Sequence, residues 1–359
     1  MLFIHKNIIK NNIFIITKKF NKIPAFVLKS DAYGLGIKNI LPILLETYSK
    51  LSNNYDNLLS IFVRDVEEGQ LVRKIYNKSK FSVKIKDINI IILNSIEKKN
   101  IKSYEKYNLI PIINHKDEVD EFKDIFIKLP TIINIDTGMN RTGIKYENME
   151  NFLIDQIKKF YIIGLMSHLH ITNKKDFIHE INYIEKDKFI NIIKQFPYIK
   201  NITLASSNVM DFGEDFIFSQ PRIGKAIYGL SHKDYGLKEA ITFKLKISQV
   251  NYIKEGEIVG YNGYKIYKDS YLGVVNFGYN HGFSLQWTDN MYITYCHKNY
   301  KIISISMEYI IINFENTFIK KNTFVNLFTE GFVKEFINKN EYYLEQLLRF
   351  SKMPKKIVN

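Results

Sequence analysis

The sequence predicts an α/β protein in two parts: a (β/α)8 barrel over residues 1–231, and a smaller, mostly β C-terminal domain over residues 232–359. Two patterns predict it. Over the first two-thirds of the chain, short apolar runs alternate with amphipathic stretches, which argues for parallel strands joined by crossover helices. After about Gly229 the texture changes to apolar–polar alternation punctuated by Gly256, Gly260 and Gly263, the pattern of half-buried strands.

In order, the candidate strands of the first part are Ala25–Lys29, Leu58–Val63, Ile88–Leu93, Leu109–Ile113, Thr131–Asp136, Ile162–Ser167, Ile202–Ala205 and a short one at Pro221–Ile223. Helical stretches between them include Arg64–Tyr76, Glu118–Ile127, Glu147–Lys159 and Asp176–Gln195. Eight such strands close a barrel of the TIM type, whose chemistry gathers at the C-terminal ends of its strands. In the second part, Ala240–Val250, Tyr271–Phe277, Met291–Tyr295 and Lys301–Met307 read as strands, and Glu341–Phe350 as a closing helix.

At 46% hydrophobic and 14% aromatic, the chain can bury a sizeable core, which excludes a disordered protein. The formal net charge is +14, but the lysines are scattered and form no basic block. The charge therefore reads as a solvated, lysine-rich surface, and no nucleic-acid partner is expected. A single cysteine, Cys296, allows neither an internal disulfide nor a thiolate metal cluster. A reducing cytoplasm is the expected compartment. The apolar pairs of Met1–Phe20 are interrupted by Lys and Asn, so neither a signal peptide nor a membrane span is expected.

Candidate chemistry falls at the predicted strand ends. Lys29 closes the apolar run from Pro24 and opens into Ser30-Asp31-Ala32-Tyr33-Gly34. A desolvated lysine has a lowered pKa and presents a free amine, as Schiff-base lysines do. Asp136-Thr-Gly-Met-Asn-Arg141 follows the fifth strand. Asp-Thr-Gly also marks aspartic proteases, but a second such loop, needed for a pair of acids sharing one proton, is absent from the sequence. Ser167-His168-Leu-His170 ends the sixth strand, and His-x-His on one strand face is a candidate metal pair. Leu204-Ala-Ser-Ser207-Asn208 and Arg222-Ile-Gly224-Lys225 follow strands seven and eight, where barrels of this type often bind phosphate. Ser207's hydroxyl and the backbone N–H groups of Gly224 and Lys225 are suitable donors.

These motifs, in this order, resemble the alanine racemases, the fold-type III pyridoxal phosphate (PLP) enzymes. The run Val27–Gly34 is similar to their PLP-lysine motif, and Phe277-Gly-Tyr279-Asn-His281-Gly-Phe283 to the segment carrying their second base. The resemblance implies that Lys29 forms an imine with PLP and that Lys29 and Tyr279 are the catalytic pair, one on each face of the substrate. Tyrosine titrates near pH ~10, so Tyr279 needs help at neutral pH, which a chain Tyr279–His168–Arg222 would give. The resemblance further implies cofactor contacts from Tyr33, His168, Ser207, Arg222, Gly224 and Lys225, substrate contacts from Arg141 and the Met307 backbone, and no metal. It implies a homodimer in which Tyr279 acts on the partner's site, and a product, D-alanine, that feeds peptidoglycan.

Several positions depart from the family pattern. Asn280-His281 stand where Ala-Asp is usual, and Glu308 where Asp is usual. Asn134 takes the place of a lysine carbamylated in many relatives, so Arg141 must be held by another route, an anion such as chloride being one. Two readings remain beside an alanine racemase: a racemase of broader amino-acid range, and a degenerate PLP-binding protein without racemase activity.

Overall fold

The computed structural model describes residues 1–359 except 54, 56, 57, 86, 171–176, 205, 208–213, 231–234, 288–290, 329–333 and 335–342. The chain divides into two compact units. One comprises Lys10–Ala32 and Gly36–Ile227. The other comprises Met1–Ile9, Tyr33–Leu35 and Tyr228–Asn359. The boundary expected at residues 231 and 232 lies outside the described residues.

The first unit is α/β. Strands Arg222–Ile223, Ala25–Val27, Leu59–Val63 and Ile88–Ile92 form one parallel sheet in that order. Strands Ile112–Ile113, Thr131–Asp136, Ile162–Met166 and Asn201–Thr203 form a second, also parallel. A parallel bridge between Ile91 and Ile110 links the two. At the other edges, Ser219 N donates to Ile202 O at 3.0 Å and Ala25 N to Pro221 O at 2.9 Å. The strands are nearly all buried because helices cover them, and they read as continuous apolar runs, the pattern of a parallel sheet. Ala25, Phe62, Ile91, Ile112, Ile132 and Met166, one from each of six strands, pack with Ile110 as a single apolar cluster.

Helix Val66–Lys78 corresponds to the expected Arg64–Tyr76, displaced by two residues at each end. Asp65 caps it by accepting the Glu68 N–H, and Glu67 and Glu68 occupy the first turn, favourable beside the helix dipole. Other helices are shorter than expected. The stretch Glu118–Ile127 breaks at Phe122 into Asp117–Glu121 and Lys123–Lys128. The stretch Glu147–Lys159 is a 3₁₀ turn followed by Asn151–Ile157. Helix Phe177–Ile193 matches the last, whose expected first residue, Asp176, lies outside the described residues. No helix among the described residues is long and apolar enough to cross a membrane.

The second unit is mostly β. Strands Ser270–Val275, Ile310–Asn313, Lys298–Ile305, Tyr292–Tyr295, Phe324–Asn326 and Ile241–Ile253 pair in sequence around a ring, which Ile241–Ile253 closes by pairing with Ser270–Val275. Closure removes the free edges that an open sheet of this size would carry. Two more strands extend the sheet: Leu2–His5 pairs antiparallel with Ile4's partner Ile241 and its neighbours, and parallel with Lys355–Val358. The closing helix is Tyr343–Arg349; residues 341 and 342 of its expected start lie outside the described residues.

Candidate active site

Lys29 follows strand Ala25–Val27 and begins a turn of the unusual hand. Ser30, Asp31, Ala32 and Tyr33 all have positive φ, between 52° and 59°. For an L-residue this conformation costs about 1–2 kcal/mol, so four in succession store roughly 4–8 kcal/mol that neighbouring bonds must offset. Ala32 N donates to Leu28 O and Gly36 N to Asp31 O, each at 2.8 Å, and Ile37 N donates to Asp31 Oδ1 at 2.7 Å. The turn bends the chain back immediately after the lysine and leaves Lys29 at the strand's C-terminal end.

Lys29 is exposed, contrary to the enclosed lysine expected from the apolar run before it. Water reaches the side chain, yet protein atoms crowd a wider shell around its amine. That desolvation is the main reason its pKa is lowered, with the positive charges of Arg141 and Arg222 adding to it. The free-base amine is favoured as a result.

Arg222 opens strand Arg222–Ile223 and is buried. Its Nη1 donates to Thr203 O at 2.9 Å and Thr203 Oγ1 at 3.0 Å; its Nη2 donates to Ser167 O at 2.6 Å and faces His168 Nδ1 at 3.4 Å. Burial, with Arg141 nearby, lowers its pKa to about 10, so it remains a cation at neutral pH. His168 follows strand Ile162–Met166. Burial first, then Arg222, Arg141 and Lys29, lower its pKa to about 3. His168 is therefore neutral at working pH. With Nδ1 accepting from Arg222, its proton sits on Nε2, which is left as a donor.

His170 turns elsewhere. Its Nδ1 is bonded to the buried carboxylate of Glu185, which also accepts the His170 backbone N–H at 3.1 Å. The two histidines are thus committed to different partners, and no group of three metal-ligating side chains occurs among the described residues.

Ser207 Oγ accepts the backbone N–H of Gly224 at 3.0 Å and of Ala226 at 3.4 Å. Lys225 stands between these two donors at the start of the 3₁₀ turn Lys225–Tyr228. Backbone N–H groups thus converge on an oxygen where the sequence places an anion site; Asn208 lies outside the described residues.

Arg141 is exposed and lines a cavity of about 460 Å³ with Asn114, Asp136 and Lys145 among its walls. Its loop is tied at both ends. Asp136 Oδ1 accepts the N–H groups of Gly138 and Asn140, each at 3.0 Å. At the other end Gly143 N donates to Asn114 O at 2.9 Å. Buried Asn134 joins the ends, its Nδ2 donating to Asn114 Oδ1 at 2.8 Å and lying 3.4 Å from Thr142 Oγ1.

Residues 4–232 match the family model of the alanine racemase N-terminal domain, and residues 240–343 that of the alanine racemase C-terminal domain. The chain belongs to the alanine racemase family. It is 29% identical to the alanine racemase of Rickettsia canadensis over 297 residues, 80% of this chain and 77% of that protein. With the alanine racemase of Rickettsia bellii it is 28% identical over 82% of this chain and 70% of that one. Among solved structures it is similar to the alanine racemase of Bartonella henselae with covalently bound pyridoxal phosphate, at a TM-score of 0.83 and 24% identity, covering 100% of this chain and 99% of that one. The alanine racemase of Acinetobacter baumannii matches at 0.80 and 21%, with the same coverage.

The remaining candidates of this racemase-family chain, Tyr33, Tyr279 and Met307, belong to the second unit. Tyr33 packs edge-on against Tyr228, ring centres 6.0 Å apart. Tyr279 is exposed in a short turn that is seated on the end of strand Lys298–Ile305: Tyr279 N donates to Ser306 O at 3.0 Å and Asn280 N to Met307 O at 3.1 Å. Met307 is exposed beside it. Three of the four residues that depart from the family pattern meet here. Asn280 Nδ2 donates to Glu308 Oε1 at 3.0 Å, and His281 Nε2 stands 3.7 Å from Glu308 Oε2. His281 also stacks on Phe277 and accepts the Gly278 N–H at 3.1 Å. The changed residues compensate one another and keep the tyrosine turn anchored.

Sequence reasoning missed Thr203, Ser167 and Ala226. All three act wholly or partly through backbone atoms, which carry no residue-type signal. Thr203 sits one residue before the quoted motif, and the need of a buried Arg222 for acceptors was the clue that pointed to it.

Proposed function

We propose that this chain is a PLP-dependent alanine racemase, an isomerase that interconverts L- and D-alanine by two-base proton transfer. The observation that carries the reading is the Lys29 amine: at a strand's C-terminal end, its pKa lowered by the protein atoms that desolvate it and by the charges of Arg141 and Arg222.

The residues present fit the coenzyme. Gly224 and Ala226 turn N–H groups toward one oxygen, that of Ser207, as a phosphate requires. Arg222 spends its Nη atoms on carbonyl oxygens, Thr203 and His168, while its Nε bonds to no described residue and suits an acceptor nitrogen. Lys29, Ser207, Arg222, Gly224 and Lys225 would hold the coenzyme, with Tyr33. Bound there, it supplies the electron sink that makes the alanine α-proton acidic.

The chain's own groups do the rest. Arg141 receives the substrate carboxylate in the fork of its guanidinium. Lys29, with its lowered pKa, takes or returns the α-proton on one face. The partner's Tyr279 serves the opposite face, and His168 offers its Nε2–H to that phenolic oxygen. Because Arg222 stays cationic, a nitrogen facing it gains no proton, which moderates the sink and favours return of the proton over side reactions.

The parallel order of both sheets and the contacts at their edges support one closed (β/α)8 barrel of the TIM type. An exposed Tyr279 supports a homodimer with shared sites. A cytoplasmic enzyme supplying D-alanine for peptidoglycan completes the reading.

A chiral assay of several amino acids with added pyridoxal phosphate, in deuterated water, tests it. We expect alanine to exchange its α-proton and racemise, and borohydride to fix the coenzyme on Lys29. Binding without exchange would identify an inert binder. Faster turnover of a larger amino acid would identify a broader racemase. Label on another lysine would reject the assignment of Lys29.

A further inference from the structure

A buried carboxylate lies directly against the left-handed turn that follows Lys29. Glu68, in the first turn of helix Val66–Lys78, is 8% exposed. Its Oε1 accepts the N–H of Asp31 at 2.7 Å, and its Oε2 accepts the N–H of Arg64 at 2.8 Å. Asp31 is the second of the four positive-φ residues; Arg64 is the first residue past strand Leu59–Val63. One carboxylate therefore joins the ends of two adjacent parallel strands, and one of those ends is the lysine turn.

Its bonding is unusual for its position. A glutamate three residues into a helix normally reaches back to the N-cap N–H. Glu68 instead spends both oxygens beyond the helix, while Asp65 accepts the Glu68 N–H at 3.0 Å and so fixes where the glutamate stands. Neither oxygen forms an ion pair among the described residues: the Arg64 guanidinium turns to Asp65. Burying a carboxylate without a cation is expensive. Two short bonds to backbone N–H groups are what it receives in return, and one of them holds a conformation the chain would not otherwise keep.

We propose that Glu68 is a positioning residue for Lys29: by clamping the Asp31 N–H it holds the left-handed turn, and the turn fixes where the lysine amine stands relative to Arg141 and Arg222. This rests on Lys29 being the coenzyme lysine, so the test begins without coenzyme.

The first readout is the pH dependence of Lys29 labelling by a small amine reagent in the coenzyme-free protein, followed by mass spectrometry. In the wild type Lys29 labels as a lysine of lowered pKa. In Glu68→Ala the turn relaxes, the amine moves toward solvent, and its labelling profile shifts to higher pH. The second readout is affinity for pyridoxal phosphate, which falls by about 10-fold or more, the loss of one charge-assisted hydrogen bond. The third is rescue. Ala32→Gly in the Glu68→Ala background restores affinity to within about 3-fold, because glycine takes positive φ without penalty. Arg73→Lys is the control. Arg73 bonds Asp87, Ile88, Tyr107 and Asn108, so its loss lowers melting temperature and leaves the Lys29 profile in place. If Glu68→Ala does not fold, Glu68→Gln decides by the same readouts, since it keeps one acceptor and turns the other into a donor. A variant that melts earlier yet keeps the wild-type labelling profile and coenzyme affinity overturns the proposal. A wild type that binds no pyridoxal phosphate at Lys29 overturns the functional reading instead, and leaves the labelling comparison to judge Glu68.

Discussion

Replacing His168 by asparagine isolates one titration and makes its energetic weight measurable. His168 is neutral in the folded chain down to a pKa of about 3, whereas an unfolded histidine takes its proton near the ordinary 6.5. Between those values the unfolded state binds more protons, so stability rises with pH across the window and is lost as pH falls from 6.5 toward 3. At pH 4.5 the imbalance amounts to about 3 kcal/mol from this residue alone. Asparagine keeps an acceptor for the Arg222 Nη2 and does not titrate. Urea unfolding at pH 7.5 and pH 4.5 should thus cost the wild type about 3 kcal/mol more than His168→Asn, with other groups cancelling in the difference. The imidazole carbon resonance of His168 gives the same answer directly, as a ring that stays neutral at pH 4.5. Equal losses in both proteins, or a ring that titrates near 6.5, would refute the claim that Arg222 and burial hold this histidine uncharged.

Arg222→Lys should destabilise by about 2–4 kcal/mol in urea unfolding, because a single ammonium cannot reach Thr203, Ser167 and His168 together. Gly278→Ala would place a methyl carbon 2.1 Å from Ser306 O, displacing the turn that carries Tyr279. A displacement of this kind costs about 100-fold in kcat, to be read by a coupled D-alanine assay, with coenzyme affinity unchanged. Glu308→Ala frees Asn280 and His281; an exposed polar cluster is worth up to about 1 kcal/mol, so kcat should fall by about 2–5-fold, and no more. A larger loss would mean that Glu308 does more than anchor the turn.

The chemistry-bearing residues were legible because each sits in a short string whose residue types are unusual for a strand end. The parallel strands were legible too: Thr131–Asp136 begins and ends where its apolar run does. What could not be read was anything carried by the backbone. Nothing in Ser-Asp-Ala-Tyr marks four left-handed residues; glycine or asparagine would have, and their absence makes the turn dependent on bonds from elsewhere. Glu68 looked like an ordinary first-turn glutamate, since its role depends on a neighbouring strand end brought alongside by the fold. The helix expected at Glu118–Ile127 breaks at Phe122, whose backbone leaves the helical region at φ −119° and ψ 22° while its ring packs edge-on against Phe126. The strand Leu2–His5 was hidden because four residues give too little alternation to recognise, and its partners lie hundreds of positions away.

That last pairing has a consequence for biosynthesis. Leu2–His5 leaves the ribosome roughly 350 residues ahead of Lys355–Val358, one neighbour in its sheet, which at about 5–20 residues per second is tens of seconds of translation. Until then an unpaired, half-apolar edge waits in a crowded cell, where holding chaperones are the natural protection.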